Sequence, residues 1–181
     1  MDGEEIAGAE DIEAQLPVCL YLSDYSGHFS EYITAVYAVF RQDFVTSRPV
    51  FCGVTLGLKK YPITEGWEAT FYHLTHEGQD EQNREPCMRR CERIPWLRFA
   101  IENCDSLGLK VWPQIRSGKK RICIWVELAH KADHFIILDD RGDYILPWTA
   151  YPLTHRHQKD KKQKEYDAYI KSLDKKQGPP N

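Results

Sequence analysis

Four short apolar segments in the second half of the chain alternate with tight turns, and this pattern restricts the fold more than any other feature. The segments are residues 109–112, 121–127, 135–138 and 144–151, and polar turns at 117–120 and 140–143 separate two pairs of them. Within the segments, apolar residues recur with a period of two, as side chains on one face of a strand do. Short strands joined by tight turns pair with their neighbours, so the sequence predicts a four-strand antiparallel meander.

Helical periodicity dominates much of the rest of the chain. Ser30 is predicted to cap a helix that ends near Val45, and residues 88–102 form a second helical pattern that Pro95 breaks or kinks. Residues 155–173 form a charged helix with a small apolar stripe, while residues 50–56 and the aromatic run 67–75 are predicted as strands. The prediction is an α+β fold, with N-terminal helices packed on a twisted antiparallel sheet and a charged C-terminal helix.

The chain length and the distribution of charge indicate one domain between two loose ends. The first 15 of the 181 residues carry six acids and no base, so residues 1–16 are predicted as an acidic flexible tail and 175–181 as a flexible C-terminus. Residues 17–174 are expected to form a single domain. No apolar run approaches the roughly 18 residues of a membrane helix, and the acidic start is unlike a secretory signal. We therefore expect a cytoplasmic protein with six reduced cysteines and no membrane contact.

Several motif classes are missing from the sequence. It has no Walker loop, dinucleotide fingerprint, nucleophile elbow or His-Glu-x-x-His motif, which argues against nucleotide-dependent kinases, Rossmann oxidoreductases, α/β-hydrolases and zincins, and we expect no nucleotide cofactor. His73, His76, Cys87 and Cys91 are residue types that tetrahedral zinc takes, but their spacing matches no standard closed site. A zinc site and a set of unrelated histidines and thiols both remain open, and no metal is included in the predicted site.

The end of the last predicted strand and the start of the last helix carry groups suited to proton transfer. Thr149 and Tyr151 share a strand face because a single residue separates them. His157, Lys161 and Glu165 recur at helical spacing and share a helix face. A histidine can move protons while cations stabilise charge on phosphate oxygens, so this combination favours phosphodiester chemistry. The alternative is a solvated helix in which Lys161 and Glu165 form an ordinary ion pair.

A group of arginines surrounds Trp96 in the middle of the chain. On a helix, Arg89 and Arg93 share a face, and so do Arg90 and Arg93. Guanidinium groups beside an indole can bind phosphates and stack on bases. The alternative is that these are surface arginines paired with neighbouring glutamates.

Four stretches of the sequence resemble one protein family. They are Tyr-Ile-Thr-Ala-Val-Tyr-Ala-Val-Phe-Arg-Gln-Asp-Phe at 32–44, Ala-Thr-Phe-Tyr-His-Leu at 69–74, the arginine-rich run 84–96, and the stretch 148–166 that opens Trp-Thr-Ala-Tyr-Pro. On these stretches the chain resembles the phage P1-related, RlfA-like proteins of phages and prophages, which are placed with the phage-type barnase–EndoU–colicin–RelE nuclease-like group. The resemblance implies a small α+β fold whose sheet holds RNA on a concave face. It implies an endoribonuclease-like protein, a candidate toxin, that cleaves RNA without metal or cofactor through attack of the ribose 2′-hydroxyl.

Such cleavage needs a base for the 2′-hydroxyl, an acid for the leaving oxygen and cations for the phosphate. The catalytic set that the resemblance implies consists of His73, Arg93, Thr149, Tyr151 and His157. The substrate-binding set consists of Arg89, Arg90, Trp96, Trp112 and Lys161. The histidines would act as base or acid, the cations would hold phosphates, the hydroxyls would position or protonate the substrate, and an indole would stack on a base.

The expected partners are RNA and, for a toxin, an immunity or antitoxin protein. Two other interpretations remain open. One is a non-catalytic protein of the same fold that binds RNA or a protein, and the other is a structural or regulatory phage protein that assembles through its acidic tail and basic helix. The catalytic interpretation depends on the arginine-rich segment meeting the strand-to-helix junction in one cationic cavity.

Overall fold

The computed structural model describes residues 8–176 apart from 79, 81 and 82. The first half of the chain forms short helices and two-residue strands: α1 (Ala9–Gln15), α2 (Phe29–Phe40), β1 (Val50–Phe51), β2 (Val54–Thr55), α3 (Ala69–Thr75), β3 (His76–Glu77), β4 (Glu85–Pro86), α4 (Met88–Cys91) and α5 (Ile94–Glu102). A 3₁₀ turn (Leu22–Tyr25) precedes α2, and a π-helical turn (Arg41–Thr46) continues it. The second half forms β5 (Lys110–Arg116), β6 (Lys119–Val126), β7 (Asp133–Asp140), β8 (Ile145–Leu153) and α6 (Arg156–Lys176).

The strands β5 to β8 form one antiparallel sheet in the order β5-β6-β7-β8. The turn between β5 and β6 has positive φ values of 50° at Ser117 and 70° at Gly118, as a tight hairpin turn requires. A β-bulge leaves Trp148 of β8 without a partner in β7, because Ile137 pairs with Thr149 and the next residue pairs with Pro147. The predicted α+β class and the four-strand meander are confirmed.

Apolar cores lie on both faces of the sheet. On one face, Ile124 and Ile136 belong to the main core, which also contains the buried sides of α2, α3 and α5. On the other face, Trp112 and Phe135 form a smaller core that Tyr166 of α6 covers. Removal of apolar surface from water on both faces holds the sheet between its helices.

The expectation that residues 67–75 form a strand is wrong, because residues 69–75 form α3. The aromatic and threonine side chains favour strands locally. However, Trp67, Phe71 and Leu74 recur at helical spacing and pack on the main core, where the rings of Phe71 and Phe40 are 5.3 Å apart. The hydroxyl of Thr75 donates to the carbonyl of Phe71 at 2.6 Å and so is satisfied within the helix. Tertiary packing overrides the local preference here.

The acidic N-terminal segment is not a free tail where the structure describes it. Residues 9–15 form α1, and Ile12 buries its side chain in the main core. The carboxylate of Glu13 accepts a hydrogen bond from the backbone N–H of His130 at 3.0 Å, which ties α1 to the connection between β6 and β7. At the other end, residues 175 and 176 belong to α6. The remaining parts of the two predicted flexible ends, residues 1–7 and 177–181, lie outside the described residues.

Two boundaries differ from the sequence prediction, whereas the predicted break near Pro95 is confirmed. Ser30 lies inside α2 and does not cap it, since the helix begins one residue earlier. Residues 50–56 form a hairpin of two strands, because Cys52 and Gly53 take positive φ values of 46° and 80° and reverse the chain. Pro95 separates the helical pattern of 88–102 into α4 and α5 and lies in the first turn of α5. Within the described residues, no helix is both long and apolar enough to cross a membrane.

Candidate functional site

The sheet face that carries α6 changes from apolar to cationic along the strands. Helix α6 packs over Trp112 near one end of β5. Because side chains alternate along a strand, the next residues on the same face of β5 are Gln114 and Arg116. The strand register places them opposite Arg121 and Lys119 of β6. The part of this face beyond Trp112 is therefore lined by positive charge.

These cations line a cavity of about 270 Å³, here called the sheet half of a groove. Strand β8 contributes the opposite wall, and the lining residues are Gln114, Arg116, Ser117, Lys119, Arg121, Ile137, Trp148, Thr149 and Tyr151. The wall combines guanidinium and ammonium groups with hydroxyl and amide groups. It can therefore hold an anion and also hydrogen-bond to a neutral polar ligand atom.

A buried ion pair forms part of the cavity wall. Arg121 lies opposite Asp139 of β7, and the two side chains form a salt bridge. The Nε of Arg141 also donates to Asp139, at 2.5 Å. Burial lowers the pKa of Arg121, and the nearby charges of Arg141 and Arg116 lower it further. Two guanidinium groups thus share one carboxylate, which leaves a net positive charge at this end of the sheet.

The indole of Trp148 separates His73 from the sheet half. The guanidinium of Arg121 lies 4.4 Å from the centroid of the Trp148 ring, and the imidazole of His73 lies 4.8 Å from it. Nδ1 of His73 is 3.2 Å from a terminal nitrogen of Arg84. Because a guanidinium only donates, Nδ1 of His73 is the acceptor in this contact. His73 supports the wall and does not line the groove.

A second cavity, of about 530 Å³, lies beside β8 and is here called the helix half of the groove. Its lining residues are Glu77, Pro86, Cys87, Met88, Arg89, Arg90, Tyr151, Pro152, Thr154 and Gln158. Arg90 of α4 is anchored there by donating to the carbonyl of His76 at 2.9 Å and to the Thr149 hydroxyl at 3.5 Å. Its guanidinium carbon lies 5.9 Å from the centroid of the Tyr151 ring.

Tyr151 lines both cavities, so the two halves of the groove meet at its side chain. Burial raises the pKa of Tyr151, while the charges of Arg116 and Arg90 oppose the shift. The phenol is therefore protonated at neutral pH and can donate a proton or a hydrogen bond. Among the described residues, no histidine lines either half of the groove. The groove is thus equipped to bind anions and has one candidate proton donor.

The structure brings four of the predicted site residues to the groove: Arg89, Arg90, Thr149 and Tyr151. It does not bring Arg93 there. The guanidinium carbon of Arg93 lies 5.0 Å from the centroid of the Trp96 ring, and burial lowers the pKa of this arginine. Arg90 and Arg93 are only three residues apart, but they lie on either side of the break between α4 and α5. They therefore do not share one helix face.

His157 and Lys161 lie elsewhere, in a shallow depression formed by α6 alone. Both side chains are exposed, and the ring of His157 stacks on that of His155 with 5.5 Å between centroids. Neither residue lines the groove. The solvated-helix alternative describes these two residues better than the catalytic one.

The two predicted stacking residues are core residues. Trp96 is 1% exposed, and its indole N–H donates to the carbonyl of Pro17 at 2.8 Å. Trp112 is 2% exposed and packs between Phe135 and Tyr166. Neither ring can receive a base unless the core opens.

The four residues considered for zinc do not form a metal site in the described part of the chain. Nδ1 of His76 is 2.8 Å from the Thr75 hydroxyl, and the thiol of Cys91 donates to the Thr75 carbonyl at 3.6 Å. Burial lowers the pKa of His76 to about 4, with the charges of Arg84 and Arg90 contributing. His76 is therefore a neutral, buried residue at neutral pH.

Sequence reasoning missed the cations of the β5–β6 hairpin, which are Arg116, Lys119 and Arg121. A signal was present, because Gln114 and Arg116 continue the alternation of Trp112 toward a tight turn. That pattern predicts one sheet face that is apolar at one end and cationic at the other.

Comparisons of the chain with family models, with curated proteins and with solved structures gave no match.

Proposed function

We propose that this protein binds single-stranded RNA along the groove. The observation that carries the proposal is that two cavities meet at Tyr151 and together are lined by five cationic side chains: Arg89, Arg90, Arg116, Lys119 and Arg121. The resemblance to the phage-type nuclease-like group, whose sheet is expected to hold RNA, supports the same surface.

The groove carries more positively charged side chains than the carboxylates near it neutralise. Glu77 lies 4.0 Å from Arg90, and Asp139 pairs with Arg121. Among the described residues, no carboxylate forms an ion pair with Arg116, Lys119 or Arg89. Uncompensated cations at both ends of a groove favour a ligand that carries several negative charges.

The length of the groove favours a polymer over a single phosphate. It crosses the sheet from β5 to β8, which is three strand spacings of about 4.8 Å each, and continues past β8 to α4. Hydroxyl and amide groups of Thr149, Tyr151 and Gln114 lie among the cations. Such groups can hydrogen-bond to base edges and to the ribose 2′-hydroxyl, which a single strand exposes.

Cleavage of the bound RNA is a second candidate function, and the position of Tyr151 favours it. In this reaction the 2′-oxygen bonds to phosphorus, the bond to the 5′-oxygen breaks, and that oxygen takes a proton. The protonated phenol of Tyr151 would supply the proton, and Arg116 and Arg90 would stabilise the phosphate charge. The proton of the 2′-hydroxyl needs a base, but among the described residues no histidine lines the groove, and the one carboxylate that does, Glu77, lies 4.0 Å from Arg90. RNA binding is therefore the main proposal, and RNA cleavage is the second.

The proposal is tested by fluorescence anisotropy with a labelled single-stranded RNA. We expect the double variant Arg116→Ala/Lys119→Ala to bind at least about tenfold more weakly than the natural protein, because two phosphate contacts are lost. The matched control is His157→Ala/Lys161→Ala, which removes a charge from the exposed face of α6 and should leave the affinity within about twofold. Equal losses in both variants, or no saturable binding by the natural protein, would overturn the proposal.

A further inference from the structure

Cys52 of the β1–β2 hairpin lies beside two consecutive residues that follow α5, Cys104 and Asp105. The Sγ atoms of Cys52 and Cys104 and a carboxylate oxygen of Asp105 all lie within 4.8 Å of one another. The Sγ of Cys52 is 3.6 Å from Oδ2 of Asp105. Within the described residues, this is the only group of three or more His, Cys, Asp or Glu side chains with such spacing.

The fold holds these three residues together from both sides. The backbone N–H of Val50 donates to the carboxylate of Glu102 at 3.3 Å, which fixes the hairpin to the end of α5. The carbonyls of Cys104 and Asp105 accept from the backbone N–H groups of Leu109 and Gly108 at 2.9 and 3.0 Å, so the turn after α5 is also fixed. These backbone contacts therefore fix the relative positions of the three short side chains.

The conformation of Cys52 is unusual for its residue type. It occupies the first central position of the hairpin turn with a φ value of +46°, followed by Gly53 at +80°. This position favours Asn, Asp or Gly, and another residue there stores backbone strain. The strained backbone carries the Cys52 thiol beside Cys104 and Asp105. A glycine or asparagine would make the same turn at lower cost, so the thiol itself is what the cysteine adds.

We propose that Cys52, Cys104 and Asp105 bind a thiophilic divalent cation, for which Zn²⁺ is the probe. Zinc takes tetrahedral thiolate and carboxylate ligands at about 2.3 and 2.0 Å, which places a sulfur and an oxygen ligand about 3.5 Å apart. The separation between Cys52 and Asp105 is 3.6 Å. Cys52 and Asp105 are exposed, whereas Cys104 is 2% exposed, so the cation would enter from solvent and keep a water as its fourth ligand.

Binding exchanges protons for the metal. Each thiol loses its proton when it becomes a thiolate ligand, so one Zn²⁺ displaces two protons, and Asp105 joins as a carboxylate. Because two protons leave for each ion that binds, the affinity for Zn²⁺ should fall as the pH falls. The bound ion would clamp the β1–β2 hairpin to α5. This site is separate from the groove, because none of its three residues lines either half.

The test uses the full chain, freed of metal by a chelator and kept reduced with a phosphine. Titration with Zn²⁺ followed by calorimetry should give saturable binding of one ion per chain, with a higher melting temperature for the loaded protein. Co²⁺ should produce thiolate-to-metal charge-transfer absorption that excess Zn²⁺ removes. Cys52→Ser lies in an exposed turn and should leave the fold intact. This variant should bind Zn²⁺ at least about tenfold more weakly. Replacing even a residue that only hydrogen-bonds to a metal ligand lowers the affinity for the metal by that factor.

Two further variants make the result decisive. Asp105→Asn should also weaken binding while the protein stays folded. Cys87→Ser, which removes a half-buried thiol outside the cluster, should bind Zn²⁺ as the natural protein does. Absence of saturable binding, unchanged affinity in Cys52→Ser, or a loss confined to Cys87→Ser would overturn the proposal.

Discussion

Arg121 and Asp139 lie directly opposite each other on β6 and β7, and their buried side chains form an ion pair in the wall of the groove. The pair connects the stability of the sheet to the charge of the proposed site. Asp139 is the buried carboxylate that holds both Arg121 and Arg141 in place. The Arg121 guanidinium in turn lies over Trp148, the residue at the β-bulge.

Removal of the buried carboxylate should destabilise the protein. We expect Asp139→Asn to lower the free energy of unfolding by about 3–5 kcal/mol, because Arg121 would remain buried without its counter-ion. Urea denaturation followed by tryptophan fluorescence measures the change. Asp143→Asn, in the exposed turn before β8, is the control and should change the free energy of unfolding by less than about 0.5 kcal/mol. A loss below about 1 kcal/mol in Asp139→Asn would show that the pair contributes no more than a surface pair.

Salt dependence should show whether both halves of the groove contact one RNA strand. For a single strand, the slope of log K against log salt changes by about 0.7 for each phosphate contact. We expect Arg116→Ala in the sheet half and Arg89→Ala in the helix half each to reduce the slope by about that amount, and the double variant by about twice as much. An unchanged slope in Arg89→Ala would restrict the RNA to the sheet half.

Replacement of the shared phenol separates binding from cleavage. Tyr151→Phe keeps the ring that packs against Phe135 and should weaken RNA binding by no more than about 13-fold, since one hydrogen bond contributes about 0.5–1.5 kcal/mol. Production of 2′,3′-cyclic phosphate ends in the presence of EDTA should fall by about 100-fold or more if the phenol is the acid.

The same assay with His157→Ala and Arg93→Ala tests the roles that the resemblance implies. Because neither residue lines the groove, we expect both variants to retain binding and any cleavage activity. Loss of cleavage in a folded His157→Ala protein would contradict this expectation. Intact RNA with the natural protein under all conditions would leave binding as the function and remove cleavage.

Two buried histidines should make the protein less stable in mild acid. Burial lowers the pKa of His134 to about 3 and that of His76 to about 4, with nearby arginines contributing in both cases. The unfolded chain protonates these groups near pH 6.5, whereas the folded chain does not. The unfolded state therefore binds more protons below about pH 6.5, and stability falls by about 1.4 kcal/mol per pH unit for each group until its folded pKa is reached.

Replacement of His134 should reduce this dependence. In His134→Leu, the loss of unfolding free energy between about pH 6 and pH 4 should be smaller by about 1.4 kcal/mol per pH unit. His28→Leu, at an exposed position, is the control and should keep the slope of the natural protein. Urea denaturation at several pH values measures both slopes, and identical slopes in the two variants would show that His134 does not titrate differently on folding.

The candidate site could be predicted only in part from the sequence. The sequence predicts that Thr149 and Tyr151 share one strand face, because alternation along a strand depends on its own backbone alone. It also predicts Arg93 and His157 beside them, but the break between α4 and α5 and the rotation of α6 direct these side chains elsewhere. Such rotations depend on which helix face packs against the sheet, and that is a property of the assembled core.

Period-two patterns and tight turns are enough to predict the four-strand meander and the α+β class, because they act between neighbours in the chain. Tertiary structure decided that the β-prone residues 69–75 form α3, since the core receives Phe71 and Leu74 at helical spacing. It also decided where the groove lies. Helix α6 covers one end of a sheet face and leaves the cations at the other end open, and the pattern of a single strand does not contain the position of the helix that covers it.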